Sequence, residues 1–351
     1  MHLESRPHST SDATKMLVAG WFSFPDGLAT VGDIQAAELV RQWLIGAGYR
    51  CDVAIVPPFG RGIDWQSADP ADYSHVIFVC GPFGQYPGEL RFLSRFSNCC
   101  LVGVNLSMLI PLDQWNPFDL LFERDSSLRS RPDITFGLSA ANTPVVGVCL
   151  VEAYGYPEGA VHRANSAIAR LLQTREMAVV AVDTRLDSNT VGLRSPLEVE
   201  ALLARMDVVI TTRLHGMVLA LKNGVPVVAI DPQTGGGKIV RQAETIGWPV
   251  VLREDGLSDE ALLGALEYCL TTSAHGQARE CAARARDAVQ RVHDQFVSAL
   301  ARGRFSEQTL NSRELVRSMA SNLAADIPRS KSPDTVPACC EVVFQRTRTT
   351  N

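Results

Sequence analysis

Arg213 and His215 stand where the local folding signals and the side-chain chemistry of this chain coincide. Before them, Val208-Val209-Ile210 is a β-branched run of the kind buried on both faces of a parallel sheet, closed by Thr211-Thr212. After them, Gly216, Met217, Ala220 and Leu221 recur at helical spacing until Asn223-Gly224 supplies a C-cap. A second strand is expected over Val225 to Ile230, with Pro226 suited to its start. The spacing predicts a β-α-β unit that delivers Arg213 and His215 to the carboxyl end of a parallel sheet, where α/β proteins bind ligands. A guanidinium offers a fixed fork of donors for a carboxylate or phosphate. An imidazole exchanges a proton near neutral pH. The helix start adds unpaired N–H groups and a partial positive charge. An anion clamp beside a proton donor is the chemistry implied. The same pattern also fits an Arg213 paired with a structural carboxylate and a His215 that caps its helix.

Further strands and helices must hold that unit. Strands are expected at Met16 to Phe24, Arg50 to Val56, His75 to Cys80 and Cys100 to Leu106, with a short one within Asp119 to Asp125. An amphipathic helix follows Ala29-Thr30-Val31-Gly32-Asp33, with Asp33 as its expected N-cap. Gly32 would let a ligand approach the backbone there, although capping alone also accounts for the pair. The alternation describes one doubly wound domain to about residue 143. A second set begins after Thr143-Pro144: a strand at Val145 to Val151, a helix from about Glu158, a strand at Met177 to Asp183, and a loop with Arg185, Asp187 and Arg194. Beyond the central unit, Gly235-Gly236-Gly237-Lys238 opens another helix. Its spacing does not fit the phosphate-binding G-x-x-x-x-G-K-[ST] loop, yet a lysine at a glycine-rich helix start can meet phosphate, and a linker fits equally. Helices are expected from Ser258 to about Arg302, and a disordered tail from Ile327 to Asn351. The domains so delimited are a disordered 1–15, a first α/β domain at 16–143, a second at 144–304, and a helical remnant and tail at 305–351.

Composition narrows the function classes. A net charge of −5 over 351 residues disfavours nucleic-acid binding through a basic surface. No apolar run approaches the roughly 20 residues that span a bilayer. Nine cysteines, with no C-x-x-C pair, suit a reduced cytoplasm, and no metal site is legible.

The segment Ile210-Thr-Thr-Arg-Leu-His-Gly216, its Ala-Leu helix and Gly224-Val-Pro-Val-Val228 resemble the hallmark of the polysaccharide pyruvyl transferases. Gly32-Asp33, Phe122-Glu-Arg-Asp-Ser126, Asp133 to Phe136 and Lys238 are similar to further family segments, in the family's order. The chain departs from the family at Thr30, where asparagine is usual, at Ile34, and at Gly81-Pro82-Phe83-Gly84. The resemblance implies two Rossmann-like domains facing a cleft, a GT-B-like arrangement, with C-terminal helices. It implies transfer of pyruvate as a ketal from phosphoenolpyruvate, as donor substrate, to a sugar or lipid-linked glycan acceptor of the cell surface, with no cofactor and no metal. On this reading His215 is the general acid, Arg213 grips phosphoenolpyruvate, and Gly32, Asp33, Arg194, Gly216 and Lys238 help to bind substrate. The expected setting is cytoplasmic, at the inner face of the membrane where the acceptor is lipid-linked. A glycosyltransferase using a nucleotide sugar and a non-catalytic glycan-binding protein are the competing expectations.

Overall fold

The computed structural model describes residues 15–139, 143–152, 159–233 and 237–302, together with 312 and 316. The residues before Lys15, the loop glycines Gly235 and Gly236, and the expected tail from Ile327 lie outside the described residues. The chain divides into two compact units, Met1–Asn142 and Thr143–Asn351.

The first unit runs β1 (Lys15–Ala19), α1 (Val31–Gly46), β2 (Cys51–Val53), β3 (Tyr73–Val79), β4 (Pro82–Phe83), α2 (Pro87–Arg95), β5 (Cys100–Val104), β6 (Ser107–Met108) and β7 (Leu120–Phe122). Its main sheet has the order β2-β1-β3-β5-β7, all parallel, and β4 pairs with β6 in a separate short ladder. Side chains of β1 alternate between two cores, as the period of two in a strand requires. Met16 and Val18 pack with Ala36, Ala37 and Val40 of α1. Leu17 and Ala19 join a cluster with Phe92 and Phe96 on the α2 side.

Two expectations are corrected here. The first strand starts at Lys15, assigned by sequence to the disordered terminus, and stops at Ala19 rather than Phe24. Trp21–Ser23 is a 3₁₀ turn, because the Ser23 hydroxyl accepts from Gly20 N at 3.0 Å and donates to Ala54 O. Helix α1 starts at Val31, with Thr30 as N-cap and Asp33 at the third helical position. Asp33 Oδ2 accepts from Thr30 N at 2.6 Å and from Thr30 Oγ1 at 2.8 Å, the reciprocal arm of a capping box. The Thr-x-x-Asp spacing outweighs the Gly-Asp pair.

The second unit runs β8 (Val145–Cys149), α3 (Ala160–Leu171), β9 (Ala178–Ala181), α4 (Pro196–Leu203), β10 (Val208–Thr211), α5 (Leu214–Lys222), β11 (Val227–Asp231), α6 (Lys238–Ile246), β12 (Val251–Arg253), α7 (Asp259–Cys269) and α8 (Thr272–Arg302). The sheet order is β12-β11-β10-β8-β9, all parallel. Val208 to Ile210 and Val227 to Ile230 are wholly buried, as strands covered on both faces must be.

Numbered within its own main sheet, each unit reads 2-1-3-4-5, the doubly wound order in which strand succession reverses between strands 1 and 3. The protein is therefore α/β, with two Rossmann-like units of one topology. In the first unit the reversal falls between β1 and β3, and in the second between β8 and β10. Among the described residues, no helix is long and apolar enough to cross a membrane, and no group of His, Cys, Asp and Glu could hold a metal ion.

Candidate active site

Arg213 is the N-cap of α5, immediately beyond the carboxyl end of β10. The Thr211 hydroxyl shapes this exit. It donates to Cys149 O at 2.7 Å, joining β10 to β8, and accepts from Arg213 N at 2.9 Å. Thr212 Oγ1 accepts from Val151 N at 2.8 Å and ties the next turn to the same neighbour. Gly216 lets α5 lie this close: a Cβ there would stand 2.4 Å from Thr211 Oγ1 and 3.1 Å from Cys149 Sγ. The N-cap side chain makes no capping bond to α5, so the N–H groups of its first turn are left without a side-chain cap among the described residues.

The Arg213 side chain reaches back over the β8 end. Its Nε donates to Leu150 O, and its Nη2 lies 3.5 Å from Asp183 Oδ1 at the end of β9. Asp183 is 6% exposed. Burial would push its carboxyl up, but N–H donation from Arg185 and Thr190, the Thr190 hydroxyl and the Arg213 charge together hold it below the usual carboxylate range. Asp183, Thr190 and Arg213 line a cavity of about 450 Å³ over the ends of β8 and β9, with His162, Asn165 and Glu152 on its wall. Asn165 Oδ1 is buried in that wall without a partner among the described residues. The guanidinium still has donors to spare. The arrangement can hold a small anion beside Arg213, with Asn165 Oδ1 orphaned in the same wall.

The predicted residues divide around this cavity. Arg213 lines it. His215 is exposed in the first turn of α5, with no hydrogen bond or ion pair among the described residues, and is not part of the cavity wall. Gly216 is buried and serves helix packing. Arg194 is 86% exposed, beside Glu198 at 3.5 Å, and the cavity does not include it. Lys238 is exposed at the first position of α6. The end of that helix is already occupied from within: buried Asp231 Oδ2 accepts from Gly237 N, Ile239 N and Val240 N at 2.8 to 3.1 Å. A carboxylate thus sits where sequence allowed a phosphate.

In the first unit, Gly32 lies in the first turn of α1, where a Cβ would meet only Thr30 Oγ1, at 3.6 Å. Asp33 is engaged by Thr30. Arg124 is also committed, to Asp133 at 3.1 Å, Asp125 at 3.4 Å and the Ser107 hydroxyl. Cys80 and Asn105, at the ends of β3 and β5, both have left-handed backbones (φ 66° and 58°), and Asn105 Nδ2 donates to Cys80 Sγ at 3.0 Å. Burial pushes that thiol up to about 11, so Cys80 is no nucleophile. Sequence reading passed over Asp183, His162 and Asn165. Asp183 alone carried a signal, as an acidic residue ending a predicted strand.

Comparison with known proteins bears on the same region. Residues 132–234 match the family model for polysaccharide pyruvyl transferase, a stretch that contains β8 to β11 and the Arg213–Gly216 turn. The resemblance read from Ile210 to Gly216 is borne out there. No protein of curated function matches the chain. Among solved structures it is similar to spinosyn forosaminyltransferase SpnP, at 15% identity over 80% of this chain and 95% of that one, with a TM-score of 0.30. It is also similar to the UDP-GlcNAc 2-epimerase of Methanocaldococcus jannaschii, at 11% identity over 78% and 99% of the two chains, with a TM-score of 0.30.

Proposed function

We propose that the protein transfers pyruvate as a ketal from phosphoenolpyruvate to a sugar of a cell-surface glycan. The observation that carries this reading is the Arg213 guanidinium held by Leu150 O and Asp183 in the wall of a cavity over the strand ends, inside the segment that matches the pyruvyl transferase family. Phosphoenolpyruvate bears a carboxylate and a phosphate on a three-carbon frame, and both anions suit a guanidinium fork and free backbone N–H groups. Asp183 and Leu150 O fix the Arg213 fork, so little ordering is left to be done on binding.

In the proposed reaction His215 protonates the methylene carbon of phosphoenolpyruvate. The adjacent carbon becomes electrophilic, a sugar hydroxyl adds to it, phosphate leaves, and a second hydroxyl closes the ketal. His215 is exposed in the first turn of α5 and has no partner among the described residues, which leaves its imidazole available as the proton donor of this reading. Arg213 holds the donor, and Lys238 and Arg194, both exposed and outside the cavity wall, supply further charge. The reaction needs no cofactor. The glycan acceptor, lipid-linked or free, and a cytoplasmic setting at the membrane face belong to the same proposal.

Thermal unfolding with phosphoenolpyruvate, beside a panel of nucleotide sugars, tests it. A ligand that binds only the folded state adds about 2.7 kcal/mol at a hundredfold excess over Kd. Stabilisation by phosphoenolpyruvate that disappears in Arg213→Ala is the expected result. Stabilisation by a nucleotide sugar alone would instead make the protein a glycosyltransferase.

A further inference from the structure

The strand order that puts Arg213 at the reversal of the second sheet also defines a reversal in the first, between β1 and β3. Ligands of doubly wound sheets bind outside the carboxyl ends of the strands at such a point. In the first unit that point carries aromatic rings. Trp21 follows β1 and lies against Gly81, which follows β3: a Cβ on Gly81 would stand 2.3 Å from the indole, and the backbone φ of +83° also selects glycine. Trp21 Nε1 donates to Pro82 O at 3.0 Å, which fixes the ring. Tyr86 meets Trp21 edge-on at 6.1 Å between centroids and is 49% exposed. Beneath both, the β4–β6 ladder and the bond from Ser107 N to Gly81 O hold the loop.

We propose that Trp21 and Tyr86 form the platform on which the acceptor sugar stacks, an inference that rests on the pyruvyl-transfer reading. A pyranose presents one face of C–H groups and a rim of hydroxyls. The C–H face matches an aromatic surface that is fixed in advance and half open to water. Phe24, Gly81, Gly84 and the Pro82 carbonyl stand against the two rings, while the buried Glu89 carboxylate is turned to the backbone N–H groups of Gly84 and Tyr86. An aromatic surface of this kind suits a neutral ligand with an apolar face. The Tyr86 hydroxyl has no partner among the described residues and is available to a sugar hydroxyl. The two reversal points thus differ in chemistry, cationic in the second unit and aromatic in the first, as a donor anion and an acceptor sugar differ.

Saturation-transfer NMR on the full chain with methyl glycosides of glucose, galactose and mannose tests the platform. At least one hexoside should receive saturation, strongest at the ring protons of a single face. Tyr86→Ala should weaken its binding by up to about tenfold, the scale of one ring contact. Trp21→Phe, which keeps a ring and the fold, should weaken it less than Trp21→Ala. No transfer to any hexoside, or transfer unchanged in Tyr86→Ala and Trp21→Ala, would overturn the platform. Stabilisation by phosphoenolpyruvate, measured on the same samples, reports separately on the donor reading. It should persist in Tyr86→Ala, so loss of the sugar signal alone and loss of the donor response alone are distinct results.

Discussion

Asp183 and Arg213 hold each other in place, and acid should separate them. The folded-state pKa of Asp183 lies below the ordinary 3.8, so its interactions stabilise the fold above that value and are lost as pH falls through the depressed one. Asp183→Asn should therefore narrow the stability gap to wild type as the pH of a denaturant titration is lowered below about 4. At neutral pH the same variant frees the guanidinium, and affinity for phosphoenolpyruvate should fall while the maximal rate changes less. His215 presents the opposite case. It is exposed and has no partner among the described residues, so His215→Ala should leave the melting temperature unchanged and reduce turnover by about 10²–10⁴-fold, the usual span of general acid catalysis. Unaltered turnover would remove His215 from the mechanism.

Helix α5 works as an element only because its first turn can touch the strand before it. Gly216→Ala would push a methyl group into Thr211 Oγ1, which is itself bonded to Cys149 O, so either α5 or the β8–β10 junction must move. Overpacking of this kind costs about 1–3 kcal/mol, and chemical denaturation should read it directly. Affinity for phosphoenolpyruvate should fall as well, since Arg213 leads into the displaced helix. At α6, Asp231→Ala removes the acceptor of four backbone donors, Gln233 N included, and should exceed the ~2 kcal/mol upper range of an ordinary N-cap loss. These elements also mark how far sequence alone reaches. The β10–α5 turn was legible because its strand, helix and cap signals lie within 25 consecutive residues, Asp207 to Asp231. The Arg213–Asp183 contact and the bond from Asn165 Nδ2 to Val151 O at 3.5 Å were not, because they join segments that only the folded sheet brings together. At α6 a glycine run with a lysine reads alike whether a phosphate or a buried aspartate fills the helix end. Thr30 and Asp33 carry a capping box at the right spacing, but an adjacent Gly32-Asp33 pair spells a second, equally local helix start.

At the scale of the whole molecule, two units of one topology carry unlike groups at equivalent points. Arg213 and a helix start mark one reversal, Trp21 and Tyr86 the other. Each unit has its own buried clusters, so each can respond to its own ligand without losing its core. Hydrogen exchange separates those responses, because local opening reports the stability of each segment. Phosphoenolpyruvate should slow exchange in the residues after β8, in 182–190 and in the first turn of α5. It should leave residues 20–24 and 81–86 at their free rates. A hexoside that binds the aromatic pair should produce the converse pattern, protecting 81–86 and leaving α5 unchanged. With both ligands present the two patterns should add if the sites are independent, and should exceed their sum if one ligand orders the site of the other. Protection of 81–86 by phosphoenolpyruvate alone would place the donor in the first unit and reverse the assignment of the two reversal points.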